Sequence, residues 1–171
     1  MVEATSILVM GPAGCGKTTV GQAVAQRLGW TFVDADAYHP AANRAKMARG
    51  QALTDADRWP WLERLAAVVV EHEGAGDGVV MACSALKRAY REALGFRGLY
   101  RQVVELRAAS DVLRERLSQR PGHFVGPELC DSQLAILEPA DEGVVVDADA
   151  SVETVTDRVL IRVGAARPSR H

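Results

Sequence analysis

The chain has 171 residues, of which 48% are hydrophobic and 25% are charged. This length and composition are typical of one globular domain and exclude a disordered or fibrous protein. The formal net charge of −2 excludes a general attraction to nucleic acid or to an acidic membrane, so we expect neither as a partner. The three cysteines follow no disulfide or metal-binding spacing, and neither a signal-peptide pattern nor a membrane-spanning apolar run is present, so we expect a cytoplasmic protein.

Short apolar segments followed by helical patterns predict an α/β fold with a doubly wound parallel sheet. Three helices are predicted behind the N-cap residues Thr54, Ser110 and Ser151. We expect a single domain over residues 1–166, a short lid at about 118–128 where glycine and proline cluster, and a flexible tail at 167–171. The predicted strands are residues 6–10, 31–34, 79–83, 101–106 and 144–147.

The first predicted strand leads directly into a phosphate-binding motif. Residues 11–18 read Gly-Pro-Ala-Gly-Cys-Gly-Lys-Thr, a full match to GxxxxGK[ST] at the start of a helical pattern. In such a P-loop the glycines let backbone N–H groups turn towards phosphates, Lys17 reaches the β- and γ-phosphates, and the Thr18 hydroxyl binds Mg²⁺. The alternative is a glycine-rich turn that binds nothing. We expect ATP contacts from Gly11, Ala13, Gly14, Cys15, Gly16, Lys17, Thr18 and Thr19.

A P-loop predicts nucleotide binding without defining a reaction. A phosphotransferase needs a second pocket and a base for its acceptor, whereas a nucleotide-driven switch needs only a residue that orients water and a surface for a partner. The polar residues that follow the next two strands therefore distinguish an enzyme from a switch module.

Two acids, Asp34 and Asp36, follow the second predicted strand. The carboxyl ends of parallel strands open into one crevice, so both acids are expected beside the P-loop. We expect Asp34 to bind Mg²⁺ through water, and Asp36 to hold the acceptor hydroxyl and take its proton. The alternative is a pair of solvated loop acids.

Basic residues on both sides of the third strand are candidates for binding an anionic acceptor. Arg44 and Lys46 do not share a helix face, so at most one of them is expected in the crevice, and Arg58 is the better candidate. After the third strand come Ser84 and Lys87, with Arg91 four residues beyond Lys87. That spacing predicts that Lys87 and Arg91 share a helix face and clasp a carboxylate.

The predicted helix that starts at Ser110 carries Arg116 and Arg120 one turn apart. Aimed into the crevice, these arginines would stabilise the charge of the transferring phosphoryl group. His123, flanked by glycine and proline residues, follows in the predicted lid. The alternative is an ordinary solvated basic face.

Together these motifs resemble those of the bacterial-type gluconokinases, in order and over nearly the whole chain. The Cys-Ser-Ala-Leu-Lys and Gly-His-Phe segments are more specific than the P-loop. Cys15 departs from the usual Gly or Ser, and its side chain is expected to point away from the phosphates. The matching segments are residues 11–18, 34–40, 43–47, 53–62, 83–91, 120–124, 131–134, 137–139 and 146–147.

The resemblance implies a nucleoside-monophosphate-kinase-like three-layer fold around five parallel strands. It further implies ATP and Mg²⁺ as cofactors, a homodimer, and phosphorylation of D-gluconate to 6-phospho-D-gluconate, which feeds the pentose phosphate pathway. Substrate contacts from His39 and Gln133 are also implied. Shikimate kinase or another small-molecule P-loop kinase is the alternative, although a shikimate kinase would carry a Gly-Gly-Gly turn where this chain has residues 83–87.

Overall fold

The computed structural model describes residues 5–97, 100–119 and 127–164. The predicted tail and the centre of the predicted lid, with Arg120 and His123, lie outside these residues. The elements are β1 (Ser6–Met10), α1 (Lys17–Leu28), β2 (Thr31–Asp34), a 3₁₀ turn (Ala35–Tyr38), α2 (Ala41–Ala48), α3 (Asp55–Gly74), β3 (Val79–Ala82), α4 (Arg88–Ala93), β4 (Arg101–Arg107), α5 (Ser110–Ser118), α6 (Pro127–Ile136), β5 (Val144–Asp147) and α7 (Val152–Arg162).

The five strands form one sheet in the order β2-β3-β1-β4-β5, and every neighbouring pair is parallel. The predicted five-stranded parallel sheet is therefore confirmed. β1 occupies the centre, between β3 and β4, so the loop that follows it lies in the middle of the sheet's carboxyl edge.

Helices cover both faces of the sheet, and the alternation of side chains in β1 explains why. Leu8 and Met10 belong to the core under α3 and α4, together with Leu62 and Leu94. Ile7 and Val9 belong to the opposite core, which α1, α5 and α7 cover through Val24, Leu113 and Val159. Because the central strand is apolar on both faces, it requires a layer of helices on each side. The predicted three-layer architecture is confirmed.

Side-chain capping fixes the start of two predicted helices. Thr54 forms a capping box with Asp57 at the start of α3, and the Ser151 side chain accepts a hydrogen bond from Thr154 N at the start of α7. The prediction that Ser110 is the N-cap residue of a helix is wrong. Ala109 occupies the N-cap position of α5, and Ser110 is the first residue of that helix. Within the described residues, no helix is long and apolar enough to cross a membrane.

Candidate active site

The loop between β1 and α1 has two positions at which both the backbone conformation and the packing exclude a side chain. Gly11 has φ 146° and Gly14 has φ 86°. A Cβ atom would lie 2.8 Å from the Leu106 carbonyl oxygen at Gly11 and 2.9 Å from the Leu113 carbonyl oxygen at Gly14. Both the conformation and the close packing therefore require glycine. The loop runs straight into α1, whose first residue is Lys17, so the helix N-terminus adds its partial positive charge.

Side chains from two other elements bind this P-loop. The Ala13 N–H donates to Gln133 Oε1 of α6 at 2.6 Å. Arg116 of α5 donates to the Gly14 carbonyl oxygen at 3.4 Å and to the Ala148 carbonyl oxygen at 2.8 Å. Lys17 Nζ donates to the Pro12 carbonyl oxygen at 3.1 Å. Gln133 and Arg116 therefore lie against the P-loop.

The Cys15 side chain lies in the core beneath α1 and is 1% exposed. This agrees with the expectation that it points away from the phosphates. Its contact with a nucleotide would therefore be made by its backbone. Thr18 and Thr19 are both exposed in the first turn of α1, so the Thr18 hydroxyl is accessible to a bound cation.

The two predicted acids occupy different positions at the end of β2. The Asp34 side chain caps the 3₁₀ turn by accepting from Asp36 N at 3.0 Å, and Asp36 is exposed. Trp61 Nε1 donates to the Ala35 carbonyl oxygen at 2.8 Å. Arg44 donates to the carbonyl oxygens of Ala37 and His39, at 2.8 and 3.1 Å. The turn that presents Asp36 is therefore held by hydrogen bonds with three side chains, those of Asp34, Trp61 and Arg44.

Cys83, just after β3, shows that these charges converge at one edge of the sheet. Burial raises the pKa of its thiol to about 12, which makes it an inert packing residue. The carboxylates of Asp36 and Asp34 raise this pKa further, and the ammonium of Lys17 lowers it. In the register of the sheet, Ala82 pairs with Val9 of β1 on one side and with Asp34 of β2 on the other, so the P-loop and both acids leave the sheet beside Cys83.

Arg58 and Lys87 come together in a polar cluster next to this edge. Arg58 Nη1 donates to Tyr90 Oη at 3.0 Å, and Lys87 Nζ lies 3.4 Å from Asp55 Oδ1. The Tyr90 hydroxyl donates to the same Asp55 oxygen, and this hydrogen bond is the largest cause that lowers the pKa of Asp55. Asp55 and Tyr90 had no predicted role here, although Asp55 lies three residues before Arg58.

Of the other predicted substrate residues, His39 is a packed side chain. Its ring stacks on Trp61 with centroids 4.1 Å apart, and Nδ1 lies 3.3 Å from Asn43 Nδ2. Burial lowers its pKa, so the neutral ring is favoured. Lys46 pairs with Asp57 at 2.6 Å.

The placement of Arg91 does not fit the predicted clasp with Lys87. Arg91 is 0% exposed, and its guanidinium binds Glu142 and the carbonyl oxygens of Ala85 and Pro139. Lys87 is the N-cap residue of α4, with extended backbone, so the two side chains do not extend from consecutive turns of one helix. The Arg91 guanidinium is therefore engaged by protein groups and is not exposed at the surface.

Ser84 connects the two halves of the site. It is partly buried, and its carbonyl oxygen accepts from Gly11 N of the P-loop at 3.4 Å. The described residues hold no group of three or more His, Cys, Asp or Glu side chains able to bind a metal.

A P-loop at the centre of a parallel sheet, with acids and a cationic cluster beside it, defines a small P-loop kinase. A family model described as an AAA domain matches residues 7–140. A gluconokinase from Gluconobacter oxydans (strain 621H) is 48% identical over 82% of this chain and 79% of that protein. A probable gluconokinase from Mus musculus is 42% identical over 90% of this chain and 95% of that protein. The chain belongs to the gluconokinase family.

Solved structures agree with this assignment. The crystal structure of a gluconokinase from Sinorhizobium meliloti 1021 matches with a TM-score of 0.84 and 36% identity, covering 96% of this chain and 94% of that one. A shikimate kinase from Bacteroides thetaiotaomicron matches with a TM-score of 0.66 and 23% identity, covering 92% of this chain and 97% of that one. The latter likeness supports the fold alone.

Proposed function

We propose that this protein transfers the γ-phosphoryl group of ATP to gluconate and produces 6-phospho-D-gluconate. The observation that carries the proposal is the joining of two sites at one edge of the sheet. The P-loop binds the Ser84 carbonyl oxygen through Gly11 N, and Ser84 precedes Lys87 of the cationic cluster. A switch module has no use for a second cationic pocket beside its phosphates.

The P-loop residues hold the nucleotide in this proposal. Lys17 binds the β- and γ-phosphates, together with backbone N–H groups of residues 11–19 and the N-terminus of α1. Thr18 would hold Mg²⁺ directly and Asp34 would hold it through water. Mg²⁺ supplies neutralisation of the phosphate charge.

Asp36 carries the proton transfer. Its exposed carboxylate lies two residues beyond Asp34, in the 3₁₀ turn that follows β2, and takes the proton of the gluconate hydroxyl. That oxygen forms its bond to the γ-phosphorus as the bond from phosphorus to the β-phosphate oxygen breaks, and ADP leaves. Arg116, already at the P-loop through the Gly14 carbonyl oxygen, stabilises the charge of the transferring group. Arg120 would act with it.

The acceptor's carboxylate is bound by Arg58 and Lys87 in this proposal, and Ser84 binds an acceptor hydroxyl. Asp55 neutralises both cations in the structure, at 3.7 Å from Arg58 and 3.4 Å from Lys87. The gluconate carboxylate must therefore displace Asp55 from these cations or bind beside it. Arg44 acts indirectly by holding the turn that presents Asp36. His123 is proposed to close over the acceptor.

Steady-state ADP release with gluconate, shikimate and a panel of nucleoside monophosphates tests the proposal. We expect gluconate to give a kcat/KM at least about 100-fold above every other acceptor, because an acceptor of different shape leaves hydrogen-bonding groups of the site unpaired. A preference for shikimate would support the alternative kinase, and ADP release that ignores the acceptor would support a switch.

The resemblance further supports a cytoplasmic homodimer that requires Mg²⁺ and supplies 6-phosphogluconate to the pentose phosphate pathway. Light scattering on the purified protein measures the oligomeric state, and a monomer at assay concentration would contradict it. Titration of Mg²⁺ in the same ADP assay measures the metal requirement.

A further inference from the structure

We propose that Arg91 is a positioning residue, which sets the geometry of the acceptor loop (residues 83–87) from beneath and never touches substrate. This inference rests on the proposed function, because the loop carries Ser84 and Lys87 of the proposed acceptor site. It replaces the clasp that the sequence spacing predicts.

The guanidinium of Arg91 joins the acceptor loop to the chain before β5. Nη1 donates to the Ala85 carbonyl oxygen at 2.9 Å, and Nη2 donates to the Pro139 carbonyl oxygen at 3.2 Å. Nε pairs with Glu142 at 2.5 Å. A planar group with fixed donor directions can serve three acceptors at once only in one orientation, so these contacts fix all three segments relative to each other.

The segment held by Arg91 is conformationally strained. Ala85 has φ 43°, and among the described residues it is the one non-glycine residue with positive φ. This conformation costs an L-residue free energy and persists only where its surroundings enforce it. Arg91 contacts the carbonyl oxygen of this residue, midway between Ser84 and Lys87.

Two further hydrogen bonds tie the same loop to the same partner segment. Glu138 N donates to the Leu86 carbonyl oxygen at 2.7 Å, and Arg88 N donates to Glu138 Oε2 at 2.8 Å. On the other side, the Ser84 carbonyl oxygen accepts from Gly11 N of the P-loop. The acceptor loop is thus held between the P-loop and residues 138–142, and Arg91 supplies the charged link. Its loss would release Ala85 and shift Ser84 and Lys87 relative to the γ-phosphate.

Arg91→Met tests this role, because it keeps an extended apolar stem and removes every donor. Glu142, whose side chain is 22% exposed, can then be hydrated. The matched control is Arg101→Met. Arg101 pairs with Glu73 at 2.6 Å and donates to the Gly95 carbonyl oxygen at 3.2 Å, but it begins β4 at the opposite end of the sheet. Both variants lose an ion pair and a hydrogen bond to a carbonyl oxygen, and only Arg91→Met loses contact with the acceptor loop.

We expect Arg91→Met to lower kcat/KM for gluconate by 10- to 100-fold, on the order of the loss from a misplacement of about 1 Å. Its dissociation constant for the β,γ-imido analogue of ATP should stay within about twofold of the unaltered protein. Arg101→Met should lower the melting temperature similarly and leave kcat/KM for gluconate within about twofold. Equal kinetic effects in the two variants would overturn the proposal.

A double-mutant cycle with Lys87→Met provides a readout that a purely structural role would not move. If Arg91 acts by placing Lys87, the fold-changes in kcat/KM of Arg91→Met and Lys87→Met combine to less than their product, while those of Arg101→Met and Lys87→Met multiply. Multiplication in both cycles would overturn the proposal. If Arg91→Met does not fold, Arg91→Lys carries the same cycle, since it keeps a charge opposite Glu142 but cannot span both carbonyl oxygens. Absence of gluconate-dependent ADP release by the unaltered protein would instead refute the proposed function, and the positioning role with it.

Discussion

Replacing Gln133 by alanine should tighten the binding of ATP. The Ala13 N–H of the P-loop donates to Gln133 Oε1 at 2.6 Å, and a phosphate oxygen that takes this N–H must displace the side chain. The free energy of nucleotide binding therefore includes the loss of one hydrogen bond within the protein. Gln133→Ala removes the competing acceptor before the nucleotide arrives.

The size of the effect follows from one hydrogen bond. A net contribution of about 0.5–1.5 kcal/mol corresponds to a dissociation constant lowered by about 2- to 12-fold. Calorimetric titration with the β,γ-imido analogue of ATP measures it directly. Gln26→Ala is the control, because Gln26 is an exposed residue of α1 and the same substitution changes helix propensity equally.

Two results would refute this reasoning. Weaker binding by Gln133→Ala would mean that Gln133 contacts the bound nucleotide, and binding equal to that of Gln26→Ala would mean that the contact with Ala13 does not compete. The sequence resemblance implies a substrate contact for Gln133 instead. That role would appear as a higher KM for gluconate in Gln133→Ala.

The remaining predictions concern the catalytic groups, the thiols and one ion pair. Lys17→Ala should lower kcat about 100-fold or more, on the order of 3 kcal/mol, with an unchanged circular dichroism spectrum. Asp36→Asn should lower kcat by about 10²–10⁴-fold at unchanged nucleotide affinity. Asp34→Asn should instead raise the Mg²⁺ concentration needed for half-maximal rate. The reverse pattern would mean that Asp34 takes the proton and Asp36 binds the metal. All three cysteines are buried, so a thiol reagent should label them only after denaturation, and rapid labelling of the native protein would contradict their placement. Hydrogen bonds from Lys46 and Thr54 lower the pKa of Asp57 to about 2, so this carboxylate stabilises the fold above its ordinary pKa and ceases to do so as the pH falls towards 2. The difference in melting temperature from Asp57→Asn should therefore be present at pH 7 and lost between about pH 4 and pH 2.

Local patterns in the sequence predicted the sheet and the P-loop because local physics determines both. β1 is apolar on both faces, which is typical of a parallel strand covered by helices. β3 and β4 differ from their predicted ends by one residue each. The glycines of residues 11–16 carry their conformational requirement in their identity. The start of α3 is likewise marked by a local pattern, Thr54 followed three residues later by Asp57.

Contacts between distant segments could not be read in this way. The clasp predicted for Lys87 and Arg91 assumed one continuous helix, but α4 begins at Arg88, and the acid that neutralises Arg91 lies 51 residues further on. The contact of Gln133 with Ala13 joins residues 120 positions apart. Asp55 already has a local explanation as an acid in the first turn of α3. The sequence therefore offers no reason to expect its contact with Lys87.

Analysis of the reaction product tests the central claim most directly. Gluconate and ATP are incubated with the protein and followed by phosphorus NMR, with proton correlation to locate the ester. We predict that phosphorus from the γ-position of ATP appears as a phosphate monoester on O6 of gluconate, in an amount equal to the ADP formed. Inorganic phosphate as the product, or unchanged ATP when gluconate is the acceptor, would contradict the account.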